Sequence, residues 1–381
     1  MIYLDYAATT PMSEEALAAY NEVARSYPGN ASSIHDAGSS AQKVVNAART
    51  TIAKLLNAKP RGLFFTGSGS EANSLAIQAL VLGNQKKGNH IISTGAEHSC
   101  IRYTMQKLKK QGFEISEIKL HNDGTVDLDH LKELITDKTI LLSIHHGNAE
   151  IGTLQNLKTI GDIAEEHNVL FHSDCVQTFG KVPVDVEELK LDSLSISGHK
   201  IYGPKGVGAA YISPNVRWKP TLPGTTQEKG FRPGTVDTPA VAAFATAAKQ
   251  IVQDREEEFV REKEIKKYLV ERIKELPFDI SLEGNIENSL PGILGLRIHG
   301  MEGQYVMLEC NRHGLAISTG SACSVGTEKR SATMACLDRT EQEALEFIRL
   351  SIGKNTTKKE IDRSAEILNK VLTQHFNMVQ A

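Results

Sequence analysis

The chain has 381 residues, enough for two domains and a large core, and its 43 Lys and Arg against 46 Asp and Glu leave a net charge of −3. That balance provides no global field for nucleic acid or an anionic membrane, and no run approaches the roughly 18 apolar residues of a bilayer span. Five scattered cysteines (Cys100, Cys175, Cys310, Cys323, Cys336) without a CxxC pair argue against a disulfide framework or zinc cage and for reduced thiols in the cytoplasm. The opening Met1-Ile-Tyr-Leu-Asp5 lacks the basic and apolar regions of a secretory signal, which points the same way.

The opening, Tyr3 to Pro11, reads as a short strand entering a small-residue turn. Ser13 then caps a helix with Glu14 and Glu15 in its first turn. After the polar loop Asn30 to Gly38, a helix of about twenty residues carries Val44, Val45, Ala48, Ile52, Leu55 and Leu56 at helical spacing. Between 63 and 172, strands (63–66, 90–93, 114–118, 139–145, 169–172) alternate with helices (71–82, 99–110, 128–135, 157–167). The pattern predicts right-handed crossovers and a mainly parallel sheet, with ligands outside the carboxyl ends of the strands. One long helical stretch is expected from about Pro239 to Leu276, its run Asp254 to Glu258 a solvated face. Strand, strand, helix, strand and a closing helix from about Lys358 to Thr373 suggest a smaller α+β unit. The expected division is a large α/β domain over 13–258, and a small α+β domain of 1–12 with 259–381.

The stretch Ser195 to Tyr211 holds His199 and Lys200 in a small-residue turn, with glycines from Gly203 to Gly208 leaving room for a planar ligand. A lone lysine is ordinarily a surface charge, but a desolvated lysine amine forms imines with aldehydes such as that of pyridoxal phosphate. Thr66-Gly-Ser-Gly-Ser-Glu-Ala72 opens a helix after a strand, which makes an anion site and equally fits a dinucleotide fingerprint. The following strand does not end in the acid a ribose needs, so a phosphate alone suits the loop better. In Glu97-His98-Ser99 the imidazole could stack on a flat ring or simply bond within its loop. Asp174, closing a strand, could cap a helix or pair with a ring nitrogen and keep a pyridine protonated, with Gln177 near the phenolic oxygen. Cys310 sits in an apolar run and suits a buried filler, whereas Cys323 has polar, glycine-bearing neighbours that suit a reactive thiol. Cys175 and Cys336 are weaker candidates.

Together these residues resemble the cysteine desulfurases of the NifS/IscS type, in the class V aminotransferase family. The matching pieces are Tyr3 to Pro11, Asn30 to His35, Gly69 to Asn73, Glu97-His98, Glu150-Ile-Gly152, Asp174 to Gln177, Ser197 to Gly206, Arg232 to Thr235 and Ser318 to Cys323, in the family's order. The resemblance implies the pyridoxal-phosphate-dependent fold type I and an enzyme that converts L-cysteine to L-alanine, its sulfur passing to Cys323 as a persulfide. Lys200 would carry pyridoxal 5'-phosphate covalently and move protons on the substrate. Gly69, Ser70, Ser197 and His199 would hold the phosphate, with Thr235 reaching it from the second subunit of a homodimer. His98 would stack on the ring, Asp174 would pair with its nitrogen, Gln177 would bond its hydroxyl oxygen, and Arg349 would grip the amino acid's carboxylate.

One departure stands out. Where the family has two asparagines before Glu-Ile-Gly, this chain has His146-Gly-Asn-Ala-Glu150, so Ala149 takes the contact position and Asn148 is the nearest substitute. Sulfur would go on to an acceptor or scaffold protein, for iron-sulfur cluster assembly, transfer-RNA thiolation or cofactor synthesis, with Cys323 able to touch a nascent cluster and no resident metal. Neither a nucleic acid nor a membrane is an expected direct partner. The wording from His172 to Gln177 and at Trp218-Lys-Pro220 resembles a NifS-like branch linked to NAD biosynthesis. The alternatives are a selenocysteine lyase or cysteine-sulfinate desulfinase and, from another class, a nicotinamide-dependent dehydrogenase resting on Gly67-x-Gly69-x-x-Ala72.

Overall fold

The computed structural model describes residues 1–320 and 331–380. A two-residue strand β1 (Ile2–Tyr3) and helices α1 (Glu14–Ser26) and α2 (Asp36–Leu55) lead into an alternating series. It runs β2 (Leu63–Thr66), α3 (Gly69–Asn84), β3 (His90–Thr94), α4 (Ser99–Lys110), β4 (Glu114–Ile118), α5 (Leu128–Leu134), β5 (Thr139–Ser143), α6 (Leu157–Glu166) and β6 (Leu170–Asp174). β7 (Ser193–Ser197) and β8 (Gly208–Ile212) complete a seven-stranded sheet of order β2-β8-β7-β6-β5-β3-β4, in which β8 alone runs against its neighbours.

The central strands are buried along their whole length, as parallel strands covered on both faces must be. Their alternate residues feed two cores. Phe65, Ile92 and Leu142 pack with Val45, Ile52, Phe171 and Phe244 on one face. Their neighbours Phe64, Ile91 and Leu141 pack with Ile77, Leu80 and Ile101 on the other. At the edge, β4 exposes Glu114 and Glu117, which discourages pairing with another chain.

Past β8, the chain forms α7 (Thr238–Gln253) and α8 (Arg255–Lys274), so the long helical stretch expected from Pro239 to Leu276 consists of two helices. Asp254 makes the break: at ψ −3° it ends α7, donating its N–H to the Gln250 carbonyl at 3.0 Å, and begins α8, while its carboxylate takes Lys354 Nζ at 2.7 Å. The break suits composition, because alanine-rich α7 packs on α1 and α2, whereas charged α8 packs on the C-terminal helix.

The rest of the chain is β9 (Ile280–Glu283), β10 (Ile293–Ile298), α9 (Gly303–Arg312), β11 (Leu315–Ala316), α10 (Ala332–Cys336), α11 (Glu341–Leu345), β12 (Phe347–Ser351) and α12 (Lys358–Gln380). β12-β10-β9 form an antiparallel sheet with its own core of Leu269, Leu294, Leu296, Val306, Ile348, Leu350 and Leu368. Leu4 belongs to that core, and β1 pairs in parallel with β11, so the first residues of the chain are built into its last third. The short helices α10 and α11 and strand β12 are absent from the sequence expectation, and α12 runs beyond Thr373. No described helix is long and apolar enough to cross a membrane.

Candidate active site

A cavity of ≈ 230 Å³ opens at the carboxyl ends of β2, β6 and β7, where an α/β sheet places its ligands. Its walls carry Gly69, Ser70, His98, Asn148, Asp174, Gln177, Ser197, His199, Lys200 and Arg349. Thr235 stands away from it on an exposed segment, and Cys323 lies outside the described residues.

The side expected to take a phosphate is the start of α3. Ser68 caps that helix by accepting the Glu71 N–H at 3.1 Å, which leaves the first turn of the helix facing the cavity. Gly69 is required by packing, since a Cβ there would lie 2.7 Å from Val176 Cγ2 and 3.1 Å from Ser197 Cβ. Ser197 Oγ is buried beside this turn and has no hydrogen-bond partner among the described residues. A buried hydroxyl at a helix N-terminus, without a protein partner, fits an anionic ligand. His199 turns Nδ1 to Thr9 Oγ1 at 3.2 Å, and burial followed by the nearby Lys200 charge lowers its pKa to about 4. It is therefore a neutral hydrogen-bonding group at neutral pH.

Lys200 follows in a short 3-10 turn, Gly198–Lys200. Its Nζ donates to the Ala7 carbonyl at 2.5 Å and the Ala8 carbonyl at 2.9 Å. Burial, then the cations Arg349 and Lys181, bring its pKa down to about 7. An amine released from its proton near neutrality can attack a carbonyl carbon.

Asp174 ends β6. Its Oδ1 accepts the Val176 N–H at 2.9 Å and its Oδ2 accepts Asn73 Nδ2 at 2.8 Å. Burial raises its pKa, partly offset by His98 and these two donors. His98 caps α4 by accepting the Cys100 N–H on Nδ1 at 3.3 Å, and burial lowers its pKa. A desolvated carboxylate facing a cavity favours a cationic partner, which a protonated ring nitrogen would supply. Gln177 donates Nε2 to the Ala7 carbonyl at 2.9 Å, while its buried Oε1 has no partner among the described residues.

The opposite wall comes from β12. Arg349 is buried, donating Nη1 to the Ala149 carbonyl at 2.9 Å and Nη2 to Asp5 Oδ1 at 2.7 Å; its Nε is buried without a partner among the described residues. Asn148 lines the cavity, but its amide is spent on its own turn. Oδ1 accepts the N–H groups of Glu150 at 2.8 Å and Ile151 at 3.0 Å, and Nδ2 donates to Thr333 Oγ1 at 3.2 Å. The small Ala149 contributes a backbone carbonyl to Arg349 instead of a side-chain contact.

Three further groups, present in the sequence motifs without an assigned role, gain one from the structure. Asn73 bridges Asp174 to His172, whose Nε2 meets Asn73 Oδ1 at 3.0 Å and whose Nδ1 meets Ser193 Oγ at 2.9 Å. Burial holds the His172 pKa down at about 3, so this bridge stays neutral. Glu97 Oε1 accepts the backbone N–H of His145 at 2.9 Å and lies 2.9 Å from its Nδ1, an arrangement unsuited to holding a ribose. The matching letters were legible at Asn73, but its bridging role depends on α3 lying against β6, which carries both Asp174 and His172. A larger cavity, of ≈ 450 Å³, lies beyond the Tyr6-Ala7 strip and contains none of the expected site residues.

Residues 2–363 match the family Aminotransferase class-V. A protein of Bacillus subtilis (strain 168) described as a putative cysteine desulfurase NifS is 44% identical over 365 residues, covering 95% of this chain and 92% of that protein. Two solved structures are also similar. One, titled NIFS-LIKE PROTEIN, superimposes with a TM-score of 0.91 at 29% identity, covering 98% of this chain and 99% of the other. A second, SspA in complex with cysteine, has a TM-score of 0.82 at 30% identity, covering 92% of this chain and 99% of the other.

Proposed function

Since the chain belongs to the class V aminotransferase family and, within it, to the cysteine desulfurases of the NifS/IscS type, we propose that it takes sulfur from L-cysteine, releases L-alanine, and carries the sulfur on Cys323. The observation that supports this reading is the convergence of an amine, Lys200, a carboxylate, Asp174, and a guanidinium, Arg349, on one cavity beside the unpartnered Ser197 hydroxyl. Pyridoxal 5'-phosphate, when bound, supplies an electron sink for charge developing on the substrate's α-carbon. The α3 N-terminus, Ser70, Ser197 and His199 would hold its phosphate. Lys200 would hold its aldehyde carbon, Asp174 its ring nitrogen, Gln177 its hydroxyl oxygen, and His98 one face of its ring.

Arg349 binds the carboxylate of L-cysteine and fixes the amino acid's orientation; its planar fork suits that task. The Lys200 amine, free near neutral pH, takes the proton from the substrate's α-carbon and returns one later. The Cys323 thiolate attacks the substrate sulfur. An S–S bond forms as the C–S bond breaks, the electron pair stays with the substrate's β-carbon, and a proton completes L-alanine. The persulfide left on Cys323 is reversible and can pass to an acceptor thiol. The described residues flanking Cys323, Ser318 to Gly320 and Ser331 to Thr333, both lie by the cavity: Ser318 pairs with Arg349, and Thr333 lines the wall. A homodimer fits the exposure of Thr235, which would serve the phosphate of a second copy. The scattered thiols, of which Cys100, Cys175, Cys310 and Cys336 are unpaired, suit a cytoplasmic setting.

The deciding experiment is turnover of the pyridoxal-phosphate-loaded protein with L-cysteine, read as stoichiometric L-alanine and transferable sulfur. Cys323→Ser should lose turnover and keep the cofactor's visible band. Turnover retained in that variant, or preference for selenocysteine or cysteine sulfinate in parallel assays, would overturn the assignment.

A further inference from the structure

The larger cavity of ≈ 450 Å³ has the size of a small-molecule site. It lies between α1, α7 and α8 and the strip that runs past Lys200. Two opposite charges face it from different elements: Lys181, on the loop after β6, and Glu262, on α8. Neither side chain makes a hydrogen bond or an ion pair with any described residue, though the Lys181 backbone N–H donates to the Thr178 carbonyl at 2.9 Å. Glu262 is pushed up to about 7 by burial, and Lys181 is lowered by the same cause; each charge only partly offsets the other. Both side chains are only part-buried and open to the cavity, so a molecule that carries both charges can reach the two of them at once.

The rest of the wall restricts what that something is. Its interior is apolar, with Ile201, Ile251, Phe259, Leu290 and Ile293. Its mouth carries Glu14, Glu15, Asp254 and Glu258 against Arg255 and Lys354, a balance that disfavours phosphates and other multiply charged anions. Tyr202 turns into the cavity from a left-handed backbone, φ +64°, a conformation that a bulky residue adopts only when its surroundings impose it. The restraints are visible: its N–H donates to Thr10 Oγ1 at 2.8 Å and its hydroxyl accepts the Lys354 N–H at 2.7 Å.

We propose that this second cavity binds a free α-amino acid with an apolar side chain, carboxylate toward Lys181, ammonium toward Glu262 and side chain against the apolar wall. The same wall couples the occupant to the catalytic lysine. Ala7 lines both cavities and accepts the Lys200 hydrogen bond, and Ile201 and Tyr202 follow Lys200 directly in the chain. An occupant pressing on this strip changes how Lys200 is held, making the cavity a control point. The proposal does not depend on the desulfurase reading.

The test is calorimetric titration of the cofactor-loaded protein with L-leucine and L-phenylalanine, beside 4-methylpentanoate and 3-methylbutylamine, which each lack one charged group. Saturable binding of one molecule per chain is expected for an amino acid, with either analogue at least about tenfold weaker, as loss of a charge-assisted contact requires. Glu262→Gln and Lys181→Met should each weaken amino-acid binding by a similar factor; the first is isosteric and guards against misfolding of the second. L-Alanine, too short for the apolar wall, should not displace the ligand. Absence of saturable binding at millimolar concentrations, affinity unchanged from the unsubstituted protein in both variants, or one-for-one displacement by L-alanine would overturn the proposal.

Discussion

One wall of the Lys200 cavity comes from the carboxyl ends of parallel strands, the other from residues close to the two ends of the chain. The sheet wall holds Asp174 and Ser197 at strand ends, Gly69 at a helix start and Lys200 in a short turn, all positioned by neighbouring strands and close packing. The terminal wall depends on long-range contacts. Arg349 bonds Asp5 across 344 positions of sequence, and Ser318 exchanges backbone hydrogen bonds with Arg349 at 2.7 and 3.1 Å. The first wall carries the groups suited to a cofactor and the second carries the group suited to a substrate carboxylate. Substitutions on the two walls should therefore separate in what they damage.

The largest effect belongs to Lys200, which touches both walls through the Ala7 and Ala8 carbonyls. Lys200→Ala should reduce desulfurase turnover by about 10³-fold or more, as loss of a group with two roles does, and remove the covalent cofactor band. Its pKa near 7 carries a second consequence. Since only the neutral amine would attack an aldehyde carbon, loading of cofactor-free protein should accelerate about tenfold per pH unit below 7 and level off above it. Rapid-mixing absorbance measures this directly. A rate still climbing toward pH 10 would show that Lys200 has the pKa of an ordinary lysine.

Arg349→Gln should come next and should leave the cofactor in place. Losing a charge-assisted contact to the substrate carboxylate is worth about 1.5–3 kcal/mol, or roughly 10- to 150-fold in kcat/KM, carried mainly by KM. Steady-state kinetics and cofactor absorbance on the same sample would test the division between walls. Loss of cofactor in parallel with activity would mean that the two walls act as one.

Gly69→Ala attacks the sheet wall by sterics alone. Its new methyl would press on Val176 and Ser197, and overpacking of this kind costs about 1–3 kcal/mol. Weaker cofactor retention with unchanged KM for L-cysteine is expected, measured by dialysis against a cofactor-binding apoprotein.

The contrast between walls also explains what could be read from the sequence. Gly69, Asp174, Ser197 and Lys200 each sit in a motif where a strand meets a turn, so local order announces both the element and the chemistry. The alternating sheet was legible for the same reason, each strand being a short apolar run between helical patterns. β12, whose Phe347 to Ser351 include the arginine, was legible as a motif but not as a strand, because its partner β10 lies some fifty residues earlier. The break at Asp254 was hidden because its helical φ and ψ leave no Gly or Pro signal, and only packing on two different cores reveals it. Asn148 lines the cavity where its letter suggested a ligand contact, but the turn that its amide closes was not legible.

The smallest effect concerns Asn73, a positioning residue on the sheet wall. Its Nδ2 fixes one oxygen of Asp174, and its Oδ1 faces the neutral His172. Asn73→Ala removes one hydrogen bond to a charged group, worth about 1.5–3 kcal/mol at most and less where water replaces it. Asp174 then loses a donor that lowers its pKa, so its pKa rises further and it competes more strongly for a proton shared with a ring nitrogen. The expected outcome is about a fivefold loss of turnover, as the shared proton moves toward Asp174, together with a shift of the cofactor's absorbance titration toward higher pH, since the less stabilised carboxylate resists losing that proton. Asn73→Asp places a second carboxylate beside Asp174 and should be worse than alanine. Were Asn73 a packing residue only, Asn73→Ala would lower Tm and leave that titration where it was.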